Sequence, residues 1–456
     1  MTVRLTNNLR GAALLCAFIT GLDGSASFFI FPPIRDNLAN GDAISASWVL
    51  SIASIVSAAL LLQAGRLTDK YGAWVLYKFG ISTYIFGLIL CTVAPNLWFL
   101  VGARALTAAS GAIMAPSAIA LLLRITEEGK KSESIGRWGF YSGLAGVAAP
   151  LLVTQLLEIF SWRILFALQI PFGFLILLLM RGSSRISPSD DSVVIRTSDS
   201  VLTILGLTLL VLPIVKINQW GWSSGKTILS FLLFALIFLW LVRKSDLSTS
   251  SPLPKKLFSD RQFVLASTMS FFSALAFFSH WLAPLLLMTE VWGYSLIQAG
   301  LLLTLMPATF AISATYFGKL SDRHGAKFVM VPGIALYCTC FLVLCLLIRD
   351  ESSLFLLVPT LLVSGIGMAT IWPTLTSLGS SRVSDGDLGI ANAVIHIMQK
   401  IGGGLGVAVV LAIISSGDEN SIYASHRNAM FIIPVAASVT LICTLCLQSK
   451  EPDAIS

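Results

Sequence analysis

Along most of the chain, runs of about 20 apolar residues alternate with short polar segments, and at about 1.5 Å per residue such a run crosses the hydrocarbon core of a bilayer as a helix. Helices are the expected form, because in lipid every backbone amide must find its partner inside its own segment. Fourteen spans are predicted, near 11–31, 44–64, 74–94, 97–123, 135–157, 163–180, 201–216, 226–243, 263–289, 296–317, 328–348, 353–378, 390–415 and 428–447. Polar stretches from Arg181 to Ser200 and from Lys244 to Arg261 set off the two middle spans. The reading is an all-α integral membrane protein: a six-helix bundle in 1–182, a linker with two additional helices in 183–262, and a second six-helix bundle in 263–456.

A repeat ties the halves together. Gly65-Arg66-Leu67-Thr68-Asp69-Lys70-Tyr71-Gly72 returns as Gly318-Lys319-Leu320-Ser321-Asp322-Arg323-His324-Gly325, 253 residues later (318 − 65). Each copy follows the second span of its half and reads as a short charged turn. An internal duplication of this kind predicts two bundles about a pseudo-twofold axis along the membrane normal. The substrate site is then expected at the midplane between them, open alternately to either side.

Composition agrees with the pattern. Apolar residues make up 56% and charged residues 12%, against about 45–50% and about 25% in soluble domains. The net charge of +7 carries no basic stripe interleaved with aromatics, so a nucleic-acid partner is not expected. With the N-terminus in the cytoplasm, 22 of the 30 lysines and arginines fall on the inner side and six on the outer, leaving Arg104 and Lys400 within spans. That bias is the positive-inside rule, and it puts both termini in the cytoplasm. Arg35 and Asp36 follow the first apolar run where a cleavage site would need small residues, so the run reads as a mature helix. All seven cysteines lie in apolar runs; even Cys443-x-x-Cys446 reads as buried small hydrophobes, and no metal site is expected.

The repeated motif resembles the conserved loop of the major facilitator superfamily, and the fourteen-span layout is similar to its drug:proton antiporter subfamily. Further stretches carry the same likeness in order: Leu22-Asp23 with Phe31-Pro32, Arg104-Ala105-Leu106 with Gly111 and Pro116, Trp162-Arg163 with Pro171 and Gly173, Gln219-Trp220-Gly221-Trp222, Gln298-Ala299-Gly300 with Pro307, and Gly402-Gly403-Gly404-Leu405-Gly406. The resemblance implies a monomeric secondary transporter in a bacterial plasma membrane, exporting small amphiphilic compounds or drugs against protons. It needs no cofactor beyond the proton gradient. The alternative it leaves open is a dedicated exporter of a metabolite or siderophore-like compound. It also implies a cytoplasmic gating role for Gly65, Arg66, Asp69, Lys70 and Gly72 and for Gly318, Asp322, Arg323 and Gly325, with Arg124 a candidate partner of Asp69. The chain departs from the family at Ala73-Trp74, where two basic residues are usual. In the fifth span, Ala145, Ala149-Pro150 and Val153-Thr154 replace a glycine-rich run. Pro150 still bends that helix, and Gly139 and Gly143 offer a small-residue face for close packing.

The intramembrane charges are the candidate chemistry, because a carboxylate deep in a span is costly. Asp23 lies roughly 12 Å from the outer end of its span and Arg104 roughly 10 Å into a span running the other way, so the two depths match. They form either a proton-dependent pair or a static salt bridge; the resemblance, in which the fourth-helix arginine serves proton coupling, favours the first. His396 and Lys400 share a helical face, with Asn392 one turn earlier. They either line the cavity, favouring anionic or zwitterionic cargo, or Lys400 snorkels while His396 bonds a neighbouring helix. His280 beside Trp281 reads as interfacial, and Glu158, Glu290 and Arg163 as solvated span ends. Enzyme motifs fail on context: Gly221-Trp222-Ser223-Ser224-Gly225 matches G-x-S-x-G but lies between two spans, and Gly225-Lys226-Thr227 has Trp220 where a phosphate loop needs glycine.

Overall fold

The computed structural model describes residues 3–127, 131–182, 197–215, 220–221, 223–244, 259–380, 388–416 and 422–447. All regular structure among these residues is helical. Among the described residues ten helices are long and apolar enough to cross a membrane, and Ala43–Ala58, Ile164–Leu179 and Gly225–Leu241 are shorter apolar helices. A helix over Thr197–Val215 stands where the seventh span is expected. The chain divides into two compact units, Met1–Thr208 and Leu209–Ser456.

In the first unit the helices are α1 (Val3–Phe29), α2 (Phe31–Leu38), α3 (Ala43–Tyr71), α4 (Ala73–Thr92), α5 (Leu97–Arg124), α6 (Lys131–Ala148), α7 (Thr154–Ile159) and α8 (Ile164–Leu179). Then comes α9 (Thr197–Val215), within which the units divide. The second unit holds α10 (Gly225–Lys244), α11 (Arg261–Leu286), α12 (Leu296–Leu303), α13 (Leu305–His324), α14 (Ala326–Leu347), α15 (Leu354–Ser380), α16 (Leu388–Ser415), α17 (Ile422–Met430) and α18 (Ile432–Leu445).

The duplication is visible in how each unit packs. In the first, α1 lies against α5, α6 and α8, α5 against α3 and α4, and α4 against α8. In the second, α11 lies against α15, α16 and α18, α15 against α13 and α14, and α14 against α18. Every pair of the first set has its counterpart. The N-caps of α3 and α12 also keep the repeat spacing (295 − 42 = 253): Asp42 accepts from the amides of Ile44 and Ser45, and Ser295 forms a capping box with Gln298.

Three expectations are corrected here. The charged motif is not a turn but the end of a helix, because α3 runs to Tyr71 and α13 to His324, and only Gly72 and Gly325 break them. Both glycines take nearly the same left-handed conformation, φ 87° and ψ 142° against φ 86° and ψ 154°. That region is essentially closed to residues with a Cβ. Second, the first span closes at Phe29, and a separate helix not expected from the sequence, α2, follows it to Leu38, with Pro32 and Pro33 in its first turn, where their missing N–H groups cost least.

Third, a Cβ added at Gly139 or Gly143 would meet nothing of another helix within 4 Å among the described residues. The close approach of α1 to α6 is made from the other side, where a Cβ on Gly21 would lie 2.9 Å from the Ser142 carbonyl and 3.0 Å from the Ala145 Cβ. In the matching pair α11·α16 the glycines are those of the expected eleventh helix: a Cβ on Gly402 would fall 2.1 Å from the Phe271 carbonyl, and one on Gly406 2.6 Å from that of Leu275. Pro150 does alter its helix. It lies in a π-helical turn, Ala149–Val153, between α6 and α7, and the Thr154 hydroxyl donates to the Pro150 carbonyl at 2.5 Å. Proline cannot donate to the preceding turn, and the extra residue of a π turn accommodates that loss.

Candidate functional site

The first unit brings its two intramembrane charges together. Asp23 and Ser27 sit four apart on α1 and so share a face, and Arg104 projects to them from α5. Its Nη1 donates to Asp23 Oδ1 at 2.6 Å and its Nη2 to the Ser27 hydroxyl at 3.0 Å. Ser27 in turn donates to the Asp23 backbone carbonyl at 2.5 Å. The Phe166 ring on α8 lies 5.6 Å from the guanidinium carbon, a cation–π distance. Burial is unequal, with Arg104 2% and Asp23 18% exposed. The guanidinium, which does not titrate in the working range, is therefore a charge held inside, with its carboxylate partner on the more open side. Beside them the Tyr84 hydroxyl donates to Gln169 Oε1 at 2.8 Å, linking α4 to α8.

At the other end of each unit the motif's hydroxyl holds the fourth helix. Thr68 and Ser117 are 2.8 Å apart and buried, and in the second copy Thr374 donates to Ser321 at 3.4 Å. Composition at the following positions differs between the copies, and so does the contact. Lys327 donates to the carbonyls of Leu445 and Leu447 at 2.7 and 3.1 Å, satisfying the end of α18. At the matching place Trp74 instead lies under Lys78 at 5.2 Å. Lys70 sits 5.6 Å over the Tyr71 ring. The side chains of Arg66, Asp69, Asp322, Arg323 and Asn392 lie outside the described residues, as does the pairing of Asp69 with Arg124, while the Gly65 backbone is part of α3.

On α16, His396 and Lys400 are exposed, and His396 Nδ1 lies 2.9 Å from Gln399 Oε1 of its own helix rather than against a neighbouring one. Among the described residues no three histidine, cysteine, aspartate or glutamate side chains gather as a metal site.

Several assignments from sequence move. His280 is not interfacial: it is fully buried, packed 4.7 Å from Phe341 and stacked on Tyr337. Glu290 and Arg163 are not merely solvated, since Glu290 Oε2 lies 2.9 Å from His426 Nε2 and Arg163 donates to the Ala94 carbonyl at 2.7 Å. Arg163 also stacks on Trp162 at 4.3 Å. Ser27 and Phe166 were missed. The spacing of Ser27 from Asp23 was the available signal for the first, and nothing in the sequence pointed to the second.

The profile of the Major Facilitator Superfamily matches residues 13–283 and 266–455. The chain belongs to the Major Facilitator Superfamily. Among curated relatives of this superfamily protein, the multidrug resistance protein Stp of Mycobacterium tuberculosis (strain CDC 1551 / Oshkosh) is 28% identical over 88% of this chain and 74% of its own length. The methylenomycin A resistance protein of Bacillus subtilis is 26% identical over 81% of this chain and 79% of its own. The riboflavin transporter RibZ of Clostridioides difficile is 26% identical over 96% and 97%. A solved structure of a proton-dependent oligopeptide transporter superposes with a TM-score of 0.68 over 98% of both chains at 14% identity, which speaks to the fold. This superfamily member is thus a multi-pass membrane transporter of small molecules, and not an enzyme.

Proposed function

We propose that the chain exports small amphiphilic compounds from bacterial cells in exchange for protons, by alternating access and with no cofactor. In this reading it has fourteen spans, cytoplasmic termini and the gating motif on the cytoplasmic side, and it works as a monomer. The observation that carries the proton coupling is the unequally buried pair, Arg104 at 2% and Asp23 at 18% exposure.

The physical step is local. While Asp23 is ionised, it compensates the buried guanidinium at 2.6 Å and holds α1 against α5. A proton on Asp23 removes that compensation and leaves Arg104 with Ser27 and the Phe166 face. An uncompensated buried charge costs about 3–5 kcal/mol, close to the roughly 5.5 kcal/mol that moves a two-state equilibrium from 1:99 to 99:1. Protonation at this one carboxylate is therefore large enough to change which conformation is favoured.

The drug reading draws on the names of Stp and of the methylenomycin A resistance protein. A second reading, export of one dedicated metabolite, draws on the exposed Lys400 ammonium on α16, suited to an acidic group, and on relatives named for riboflavin and actinorhodin. The test is efflux of a panel of dyes and drugs from cells with and without the gene, repeated with the proton gradient collapsed. Broad, gradient-dependent efflux supports the first reading and a single acidic hit the second. Efflux that survives collapse of the gradient overturns the proton coupling.

A further inference from the structure

The end of the second unit away from Gly325 holds a histidine whose two hydrogen bonds ask for more protons than a neutral ring has. His426 on α17 is buried, with its side chain 3% exposed. Its Nδ1 lies 2.8 Å from the Ile422 carbonyl one turn earlier, and its Nε2 lies 2.9 Å from Glu290 Oε2. Both partners are acceptors. A neutral imidazole carries one N–H, so it satisfies one of them and turns a lone pair on the other. Only with a second proton do both bonds form. Glu290 is 22% exposed, which gives the proton a way in.

We propose that His426 and Glu290 form a proton-binding site of the second unit, in which an imidazolium ties α17 to the turn after α11, and whose deprotonation loosens that tie. The turn it holds is suited to a switch. Leu287–Val291 is π-helical, with Trp292 N bonded to the Leu287 carbonyl at 3.1 Å. Such a turn can exchange its extra residue with the adjoining α-helix. The neighbouring ties involve no imidazole or carboxylate: Trp292 Nε1 donates to the Arg349 carbonyl at 3.3 Å, Tyr294 and Ser352 share a hydrogen bond at 2.5 Å, and the Tyr423 hydroxyl donates to the Ile348 carbonyl. His426 is the member of this lattice whose side chain has two nitrogens that can each carry a proton.

Other ionisable groups on the elements packed around it are few. α17 itself has Tyr423 and Arg427, which lies 5.7 Å over the Tyr423 ring. α14 brings Cys345, with Arg349, Asp350 and Glu351 past its end; α11 brings the buried His280. α16 has His396 and Lys400, 15 or more residues before its end at Ser415 (415 − 400), and α18 has Cys443 in its last turn.

The site shares no residue with the Asp23 pair, and its test needs no substrate. Purified protein in lipid nanodiscs, labelled with 15N-histidine, is titrated from about pH 5 to about pH 9, the range in which imidazoles change charge; His426→Gln assigns the signal. The expected result is a ring protonated on both nitrogens at the acid end and on Nε2 alone at the alkaline end, where the N–H facing the carboxylate is kept and the charge is lost. Amide exchange across Ile422–Met430, corrected for its intrinsic pH dependence, should be about tenfold faster in the alkaline form, the worth of one charge-assisted hydrogen bond. Glu290→Gln supplies an N–H to Nε2, so a neutral ring makes both bonds and both pH dependences should vanish while the protein stays folded. A wild-type ring that keeps one protonation state throughout, or a Glu290→Gln protein that titrates like the wild type, overturns the proposal.

Discussion

Two substitutions at the same ion pair should differ in cost, because its members are unequally buried. Asp23→Leu leaves the Arg104 guanidinium at 2% exposure with the Ser27 hydroxyl at 3.0 Å and the Phe166 ring at 5.6 Å. An uncompensated charge in such a place costs about 3–5 kcal/mol. Arg104→Met leaves a carboxylate at 18% exposure, which can draw on water or take a proton; its loss should be about half as large. The double variant removes both charges and puts apolar volume in their place, which should return stability to within about 1 kcal/mol of wild type. The assay is reversible unfolding in mixed micelles with a denaturing detergent, followed by tryptophan fluorescence. A gap of about 2 kcal/mol between the single variants is roughly a thirtyfold difference in unfolding equilibrium, well within reach. Equal costs, or a double variant whose loss equals the sum of the singles, would refute the reasoning.

Two other expectations follow from backbone geometry in the same assay. Gly402→Ala puts a Cβ 2.1 Å from the Phe271 carbonyl, so α11 and α16 must separate, at a cost of about 1–3 kcal/mol; Gly143→Ala meets nothing within 4 Å and should be neutral or gain about 0.5–1 kcal/mol from helix propensity. A stable Gly402→Ala protein would show that the helices are not in contact there. Gly72→Ala and Gly325→Ala force a Cβ into φ 87° and φ 86°, and each should lose about 1–3 kcal/mol; costs that differ widely between the two would speak against equivalent helix breaks.

What the sequence made legible was what repeats locally or is fixed by depth. Helix after helix followed from apolar run length, and the paired motif located the duplication that the packing of both units repeats. Asp23 and Arg104 could be matched because distance along a membrane helix is distance through the membrane. The contacts that escaped join residues with no local sequence relation: Glu290 and His426 are 136 apart, and lying at the same side of two spans does not say which pair of helices is adjacent. His280 was misplaced because proximity to a span end does not say which way a side chain faces. Gly139 and Gly143 were expected to offer α6 a face for close packing, but where α1 approaches α6 the small residue is Gly21, since a close approach needs one on only one partner. The motif was read as a turn from its charges, whereas helix termination depended on Gly72 alone.

The account's central claim is that the proton acts at Asp23. Asp23→Asn keeps the side chain's size and an oxygen for Arg104 to bond, but it cannot lose a proton. The decisive measurement is export by the purified protein in proteoliposomes under an imposed proton gradient, using a dye whose efflux from cells collapses with that gradient. The folded Asp23→Asn protein should bind the dye yet lose gradient-driven export and the accompanying proton flux. Export at the wild-type rate, with protons still moving, would contradict it.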